Sequence, residues 1–244
     1  MIIRFFIVIL GLCLGSFLNV CIYRIPQGLS VIWPPSYCPY CRKTLRWLHK
    51  LPVVSYLWLG GRCFWCKAEI TLQYPLVELL TGGVLLLLYS IYGLSGKFFH
   101  HSGLALLLIG VAAIDVKTLI IPNILILFGL GFWLLTTAFF SINFLDSFLG
   151  ALCGGGILLF IAMLGTILFH KESMGMGDVK LGALIGLFLG THGIFFTLIW
   201  AVFLGALIGI IGLGTGILNR NSKLPFGLFL SISALSYLII PMRF

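Results

Sequence analysis

Apolar residues fill most of the chain in long runs, a pattern that differs from the spaced apolar positions of a surface helix and from the alternation of a half-buried strand. Crossing about 30 Å of hydrocarbon takes about 20 such residues in a helix. On that rule the pattern predicts eight spans, at residues 2–23, 74–94, 102–116, 121–141, 146–169, 179–190, 193–217 and 224–241. The third and the sixth are short, so a count of seven stays open. The sequence predicts an all-α polytopic membrane protein with about eight transmembrane helices.

One polar segment interrupts this pattern between the first two spans. Residues 24–73 contain five prolines and seven of the Lys and Arg residues. A segment of this composition is not expected to span a bilayer and instead predicts a small compact insertion. The chain then divides into a first span at 1–23, an insertion at 24–73 and a membrane-embedded segment of about seven spans at 74–244.

Composition and charge exclude several classes of protein and indicate an orientation. Of the 244 residues, 61% are hydrophobic and 9% are charged, whereas soluble domains have about 25% charged residues, so soluble enzymes, disordered chains and fibrous proteins are excluded. With the amino terminus outside, three of the fifteen cations face outward and twelve face inward. The inward set is Arg24, Arg42, Lys43, Arg46, Lys50, Arg62, Lys67, Lys117, Lys171, Lys180, Arg220 and Lys223. This asymmetry places the insertion in the cytoplasm, and we read the positive charge as a topology signal, with no nucleic-acid partner.

Four of the seven cysteines form two CxxC pairs inside the insertion. They are Cys38-Pro-Tyr-Cys41 and Cys63-Phe-Trp-Cys66, with 21 residues between the pairs. Two such pairs can supply the tetrahedral thiolate shell of a structural zinc ion, which would leave no open position for chemistry. A segment of about 50 residues has too small a core to fold unaided, so a metal would stabilise it. A redox dithiol pair and unligated cysteines are the alternatives.

Two of the six carboxylates occupy positions that suggest chemistry. Asp115 ends the third predicted span and Asp178 begins the sixth, both on the cytoplasmic side. Ionisable groups at membrane depth are costly and usually functional. Two carboxyl groups held close together share one proton, so that one acts as general base on water and the other as acid toward the scissile carbonyl. This predicts an aspartyl protease; Asp146, by contrast, is predicted to cap the fifth span.

The local sequence also suggests how the two aspartates divide this work. Asp178 follows Gly175 and Gly177 and precedes an apolar helix, where the positive end of the helix dipole would favour the carboxylate. Asp115 lies near a helix carboxyl end, where the dipole would favour the neutral acid. The sequence-based hypothesis is therefore that Asp178 is the base and Asp115 is the acid.

Taken together in this order, the motifs resemble the type IV prepilin peptidases, bacterial inner-membrane aspartyl proteases. The matching residues are Gly15–Val20 with Arg24-Ile25-Pro26, both CxxC pairs, Pro52–Tyr56, Tyr74–Glu78, Asp115 with Ile121-Pro122-Asn123, Met174–Leu181 and Pro225-Phe226-Gly227. One departure is visible, since this chain reads Lys50-Leu51-Pro52 where the family usually has Asn-Ile-Pro.

The resemblance implies an activity, its cofactors and its partners. The family cleaves a short basic leader from prepilins and pseudopilins after a glycine on the cytoplasmic side, and many members then N-methylate the new amino terminus with S-adenosylmethionine. By motif, Asp115 and Asp178 would be the catalytic pair, and Cys38, Cys41, Cys63 and Cys66 the zinc ligands. The protein would serve type IV pili or type II secretion from the bacterial inner membrane.

Other classes of function remain open from the residues alone. A zinc-bearing scaffold would pair the aspartates with Lys117 and Lys180, and a transporter would use them to bind protons or other ions. A presenilin-like protease would share the Gly-x-Gly-Asp string but has no reason to carry the zinc insertion. Because the insertion is basic, Glu69, Glu78 or Glu172 are the candidates for contact with a basic leader.

Overall fold

The structure, a computed structural model, describes residues 1–140, 143–169, 174–217, 219 and 222–240. Glu172 and the cations Lys171, Arg220 and Arg243 of the orientation argument lie outside these residues. The helices are α1 (Ile2–Arg24), α2 (Val54–Trp58), α3 (Gln73–Tyr92), α4 (Gly96–Thr118), α5 (Asn123–Phe139), α6 (Phe144–Phe169), α7 (Met176–Gly214) and α8 (Phe226–Ile239), with short 3-10 turns at Ile25–Gln27 and Trp47–Lys50. The all-α class is confirmed for the described residues, where β-structure is limited to two isolated bridges.

Five of the described helices are long and apolar enough to cross a membrane, α1, α3, α4, α6 and α7, while α5 and α8 are shorter apolar helices. The predicted span 179–190 and most of the predicted span 193–217 fall within the single helix α7, which ends at Gly214. The backbone interrupts α7 at Gly190, with φ 69° and ψ −172°. The predicted third span, 102–116, lies within the longer α4. The count of about eight spans stays a prediction.

The chain forms two compact units, Met1–Gly93 and Leu94–Phe244. In the first unit, α1 packs against α3 through glycines four residues apart on α1. A Cβ atom on Gly11 would lie 2.7 Å from the Cα of Gly82, and one on Gly15 would lie 2.7 Å from the Cα of Glu78. The two backbones therefore touch, as small residues allow between membrane helices.

In the second unit, α4 is the most buried of the long apolar helices and packs against α5 and α8. The α6–α7 contact is again built on glycine, because a Cβ atom on Gly150 would lie 2.4 Å from the carbonyl oxygen of Gly186 and one on Gly154 would lie 2.4 Å from that of Gly182. Side chains that would separate these helices are excluded at these positions.

Polar side chains satisfy the backbone groups that the break at Gly190 leaves free. The carbonyl oxygen of Phe188 lies 3.2 Å from Nε2 of His100. On the other side of the break, the N–H and the hydroxyl of Thr191 donate to Oδ1 of Asp146 at 3.1 and 2.7 Å. The prediction that Asp146 caps its own helix is therefore wrong: its carboxylate binds Thr191 of α7, and Asn143 accepts from the Asp146 N–H at 3.4 Å instead.

Candidate functional site

Asp115 lies in the last turn of α4, with its side chain 3% exposed. The helix ends because Leu119 adopts a left-handed conformation and donates its N–H to the Asp115 carbonyl oxygen. The Asp115 carboxylate is oriented by α8: the Leu228 N–H donates to Oδ2 at 3.0 Å, and the Gly227 N–H also hydrogen-bonds the carboxylate. These are N–H groups of the first turn of α8, which have no partner within their own helix.

Asp178 lies in the first turn of α7 and is half-buried. Its N–H donates to the Gly175 carbonyl oxygen at 3.1 Å. Two glycines precede it: a Cβ atom on Gly175 would lie in ordinary contact with Asp178 Oδ2, at 3.5 Å, and one on Gly177 would crowd the Cβ of Ile121, at 3.0 Å. A peptide could approach the exposed part of this carboxyl group along the glycine backbone.

The structure brings the two aspartates together around Ile121. This side chain contacts Gly177, next to Asp178, and its Cδ1 lies 2.9 Å from the position a Cβ atom on Gly227 would take, beside Asp115. The two carboxyl groups are close enough to interact electrostatically. One of them is buried and the other is partly open, which is the arrangement expected of a shared site that a substrate enters from one side.

The lysines next to these aspartates have different surroundings. Lys180 donates from Nζ to the Asn123 side-chain oxygen at 2.9 Å and so joins the start of α7 to the start of α5. Lys117 is exposed at the end of α4. The scaffold hypothesis required ion pairs between the aspartates and these lysines, and Lys180 is instead bound to Asn123.

The hydrogen bonds around the two carboxyl groups differ from those that the sequence-based division of roles assumed. Asp115 was assigned the neutral form because it lies at the carboxyl end of α4, but its carboxylate faces the amino end of α8, whose N–H groups and dipole stabilise a negative charge. The Asp178 carboxyl group accepts one backbone hydrogen bond, from Gly175 just before its own helix. Asp115 therefore has two backbone donors, from Gly227 and Leu228, and Asp178 has one.

The four cysteines of the insertion lie together in the first unit. Their Sγ atoms are all within 4.8 Å of one another, and Cys38 Sγ lies 3.8 Å from Cys66 Sγ. Four thiolates at about 2.3 Å from a tetrahedral zinc ion would be about 3.8 Å apart. The cluster thus has the donor set and the spacing for a metal ion such as zinc.

The two CxxC pairs are built as copies of the same turn. The Arg42 N–H donates to the Cys38 carbonyl oxygen at 2.8 Å, and the Lys67 N–H donates to that of Cys63 at 3.0 Å. Arg42 and Lys67 both have a left-handed backbone, with φ 56° and 59°. Each turn thereby directs two thiols inward and places a cation beside them.

The surroundings within the cluster give the thiols of Cys63 and Cys66 different pKa values. Burial alone would raise the pKa of Cys63, but hydrogen bonds from the backbone of Cys66 and Trp65 and from neighbouring thiols lower this pKa to about 7. The Ala68 backbone lowers the pKa of Cys66, but burial and the hydrogen bonds to the other cysteine side chains raise it to about 11. A cation is needed to hold all four as thiolates at neutral pH.

Glu78 has a role that the sequence did not predict. Its side chain is buried in α3 and accepts the Val53 N–H at 2.7 Å and a hydrogen bond from Ser16. This carboxylate is therefore occupied within the protein and is not free to bind a basic leader. Glu69 is exposed and pairs across a β-bridge with Arg62.

Sequence reasoning missed the two backbone donors of α8 and the hydrogen bonds of Glu78. The motif Pro225-Phe226-Gly227 was visible, and glycine after proline and before an apolar run marks a helix start where backbone approaches closely. The sequence could not show that this helix start contacts Asp115, because Asp115 is more than a hundred residues away in the chain.

Comparison with known proteins gives consistent results over most of the chain. Residues 9–92 match the bacterial peptidase A24 N-terminal domain, and residues 102–210 match the type IV leader peptidase family. A prepilin leader peptidase/N-methyltransferase of Bacillus subtilis (strain 168) is 36% identical over 219 residues, covering 89% of this chain and 86% of the relative. Proteins of the same name from Myxococcus xanthus (strain DK1622) and Pseudomonas aeruginosa are 35% and 33% identical, covering 84% and 93% of this chain and 62% and 86% of the relatives. No solved structure matches.

Proposed function

The chain belongs to the type IV leader peptidase family, and from that premise we propose that it removes the leader peptide of type IV prepilins and pseudopilins and then N-methylates the new amino terminus. The family match confirms the resemblance to the prepilin peptidases that the sequence motifs indicated. The observation that carries the proteolytic part is the convergence of Asp115 and Asp178 at Ile121, with only Asp178 partly open to solvent.

In this proposal Asp115 is the general base. The Leu228 N–H binds its Oδ2 atom and the Gly227 N–H also hydrogen-bonds the carboxyl group, which stabilises the carboxylate that takes a proton from water. Asp178 carries the shared proton, because two adjacent carboxyl groups in a poorly solvated site do not both ionise. Asp178 is the more exposed of the two and meets the substrate carbonyl.

The reaction needs the two carboxyl groups and one water molecule. Asp115 takes a proton from water while the water oxygen attacks the scissile carbonyl carbon, and Asp178 donates its proton to the carbonyl oxygen. When the tetrahedral intermediate collapses, the carbon–nitrogen bond breaks, Asp115 gives its proton to the leaving nitrogen, and a hydroxyl proton of the intermediate returns to Asp178. The pair is then in its starting state.

Zinc bound by Cys38, Cys41, Cys63 and Cys66 has a structural role in this proposal. Four thiolates fill a tetrahedral shell and leave no position for water or substrate. The ion would hold the two matching turns together in an insertion whose regular structure is limited to short helical turns.

S-adenosylmethionine supplies the methyl group when bound. The candidate site is a cleft of about 550 Å³ in the insertion, lined in part by Tyr40, Tyr56, Arg62 and Glu69, a volume within the range of about 300–1,000 Å³ typical of small-molecule sites. Tyr40 and Tyr56 would bind the cationic cofactor through their aromatic rings. Glu69 would pair with the ammonium group.

The position of the protein in the cell follows from the same proposal. The excess of Lys and Arg in the insertion and at one end of the spans favours an amino terminus outside and an active site at the cytoplasmic face of the bacterial inner membrane. The division into a first span at 1–23, an insertion at 24–73 and a peptidase segment at 74–244 is part of this proposal.

The test is a reaction of the purified full-length protein in lipid nanodiscs with a prepilin, followed by mass spectrometry of the substrate. We expect loss of the leader in every sample, and a further gain of one methyl group only when S-adenosylmethionine is added. A prepilin whose glycine at the cleavage site is replaced serves as the control and should stay intact. If a folded, zinc-loaded preparation leaves the normal prepilin uncut, the proposal is wrong.

A further inference from the structure

Part of the insertion lies beside the membrane helices, well below their ends. The Val53 N–H donates to Glu78 Oε2 at 2.7 Å, and Ser16 also hydrogen-bonds Glu78. At a rise of 1.5 Å per residue, Glu78 is about 7–8 Å along α3 from its start, and Ser16 is about 12 Å from the end of α1. Because α1 is only a few ångströms longer than the hydrocarbon core is thick, Val53 lies at a depth where lipid tails begin.

The segment around Val53 has the composition of a lipid-facing element. Residues 51–59 read Leu-Pro-Val-Val-Ser-Tyr-Leu-Trp-Leu and contain no charge. Within α2, Val54, Leu57 and Trp58 follow the spacing that places side chains on one helix face, and they are 58%, 72% and 71% exposed. Tyr56 lies on the opposite side, against Gly61 and the cleft described above.

Most backbone N–H groups of this segment have partners within the protein, as an element inside a bilayer requires. The N–H groups of Ser55, Leu57, Leu59, Gly60 and Gly61 donate to carbonyl oxygens of the same segment. Val53, at the start of the turn, has no such partner and uses the Glu78 carboxylate. The Ser55 hydroxyl donates to the Leu51 carbonyl oxygen at 2.7 Å.

Cations flank the apolar segment on both sides. Arg46 and Lys50 precede it and Arg62 follows it. Long basic side chains at the ends of a membrane-inserted segment reach back to the headgroup layer and bind anionic lipid. This arrangement of charges around an uncharged core fits a lipid leaflet.

We propose that residues 51–59 form a re-entrant segment, held at depth by Glu78, whose exposed face of Val54, Leu57 and Trp58 contacts the acyl chains of the leaflet on the insertion side. The insertion is then a domain seated in the membrane surface through its own apolar element. The occupant of the exposed face is lipid.

The first test places the photo-crosslinking residue p-benzoylphenylalanine at position 57 of the full-length protein, in nanodiscs of phosphatidylethanolamine and phosphatidylglycerol. Position 40 is the matched control, because Tyr40 in the first cysteine turn is 75% exposed. We expect lipid adducts, detected by intact-protein mass spectrometry, at position 57 at least fivefold above those at position 40. Equal yields at the two positions, or adducts from position 57 only to a second copy of the chain, would overturn the proposal.

The second test uses milder changes that keep the fold. The fluorescence lost in Trp58→Phe, relative to the unmodified protein, reports Trp58, and the difference for Trp65→Phe, whose ring packs on His49, is the control. Lipids brominated on the acyl chains should quench the Trp58 contribution strongly and the Trp65 contribution weakly, and aqueous iodide should show the reverse. Quenching of Trp58 by iodide but not by brominated lipid would contradict the proposal.

Discussion

Replacing Gly227 with alanine is expected to slow leader cleavage without unfolding the protein. A Cβ atom at this position would lie 2.9 Å from Asp115 Oδ2 and 3.2 Å from its Cγ. The carboxyl group would have to retreat by roughly half an ångström to reach ordinary van der Waals contact. That movement lengthens the hydrogen bonds from the Gly227 and Leu228 N–H groups, which orient the proposed base.

The size of the effect follows from the hydrogen bonds at stake. A hydrogen bond to a charged group contributes about 1.5–3 kcal/mol. Losing one of the two in the transition state, where the base must be held in place, lowers the rate by about 10- to 150-fold. Substrate binding does not use this contact, so we expect the loss in kcat while KM changes less than threefold.

The assay is cleavage of a prepilin in nanodiscs across a range of pH. Because weaker hydrogen bonds stabilise the carboxylate less, the base in Gly227→Ala should stay protonated to a higher pH, and the acidic limb of the rate profile should move upward. Gly131→Ala is the matched control, since a Cβ atom on this α5 glycine meets nothing within 4 Å. A Gly227→Ala enzyme with the kcat and the acidic limb of the unmodified protein would refute the positioning role of α8.

Three further predictions concern stability and metal content. Cys66→Ser should lower bound zinc to well below one equivalent and make the insertion sensitive to protease, because a structural zinc site supplies much of the folding free energy of a small domain. Metal analysis and limited proteolysis measure these two effects, and a full equivalent of zinc in the variant would argue against the site. Asp146→Ala should destabilise the second unit by about 1–2 kcal/mol, because the Thr191 N–H loses its hydrogen-bond acceptor. An unchanged thermal midpoint in nanodiscs would contradict the stabilising role of Asp146 at the Gly190 break. Gly150→Ala should lower the thermal midpoint far more than Gly156→Ala. A Cβ atom at position 150 would collide with the Gly186 backbone, while one at position 156 would meet nothing within 4 Å. Similar midpoints for the two variants would contradict the close α6–α7 contact.

Features that depend on neighbouring residues could be predicted from the sequence. The two CxxC pairs predicted two similar turns, because two cysteines three positions apart can lie in one turn whatever the rest of the fold. The placement of Asp115 and Asp178 at one end of their spans followed from hydropathy and the distribution of cations. The first inference used neighbouring residues and the second used hydropathy and charge along the whole chain, and the structure brings each set of side chains together.

Contacts between distant segments could not be predicted. The N–H groups of Gly227 and Leu228 bind the Asp115 carboxylate from a helix more than a hundred residues away in the chain, whereas the helix-dipole prediction used only the helix that carries each aspartate. In the same way, Asp146 binds Thr191 instead of capping its own helix. Hydropathy also missed the contact of Val53 with Glu78 of α3, since nine uncharged residues are too few to register as a span.

The central claim is that one proton is shared by Asp115 and Asp178, and the most direct measurement is prepilin cleavage by Asp115→Asn and Asp178→Asn. In both variants the amide has nearly the size and shape of the carboxyl group, so both should retain zinc and bind the prepilin. Both should cut the prepilin at least a thousandfold more slowly, since the reaction needs one carboxylate and one carboxylic acid. If either variant, correctly folded in nanodiscs, cuts the prepilin at a rate near that of the unmodified protein, the two-aspartate mechanism is wrong.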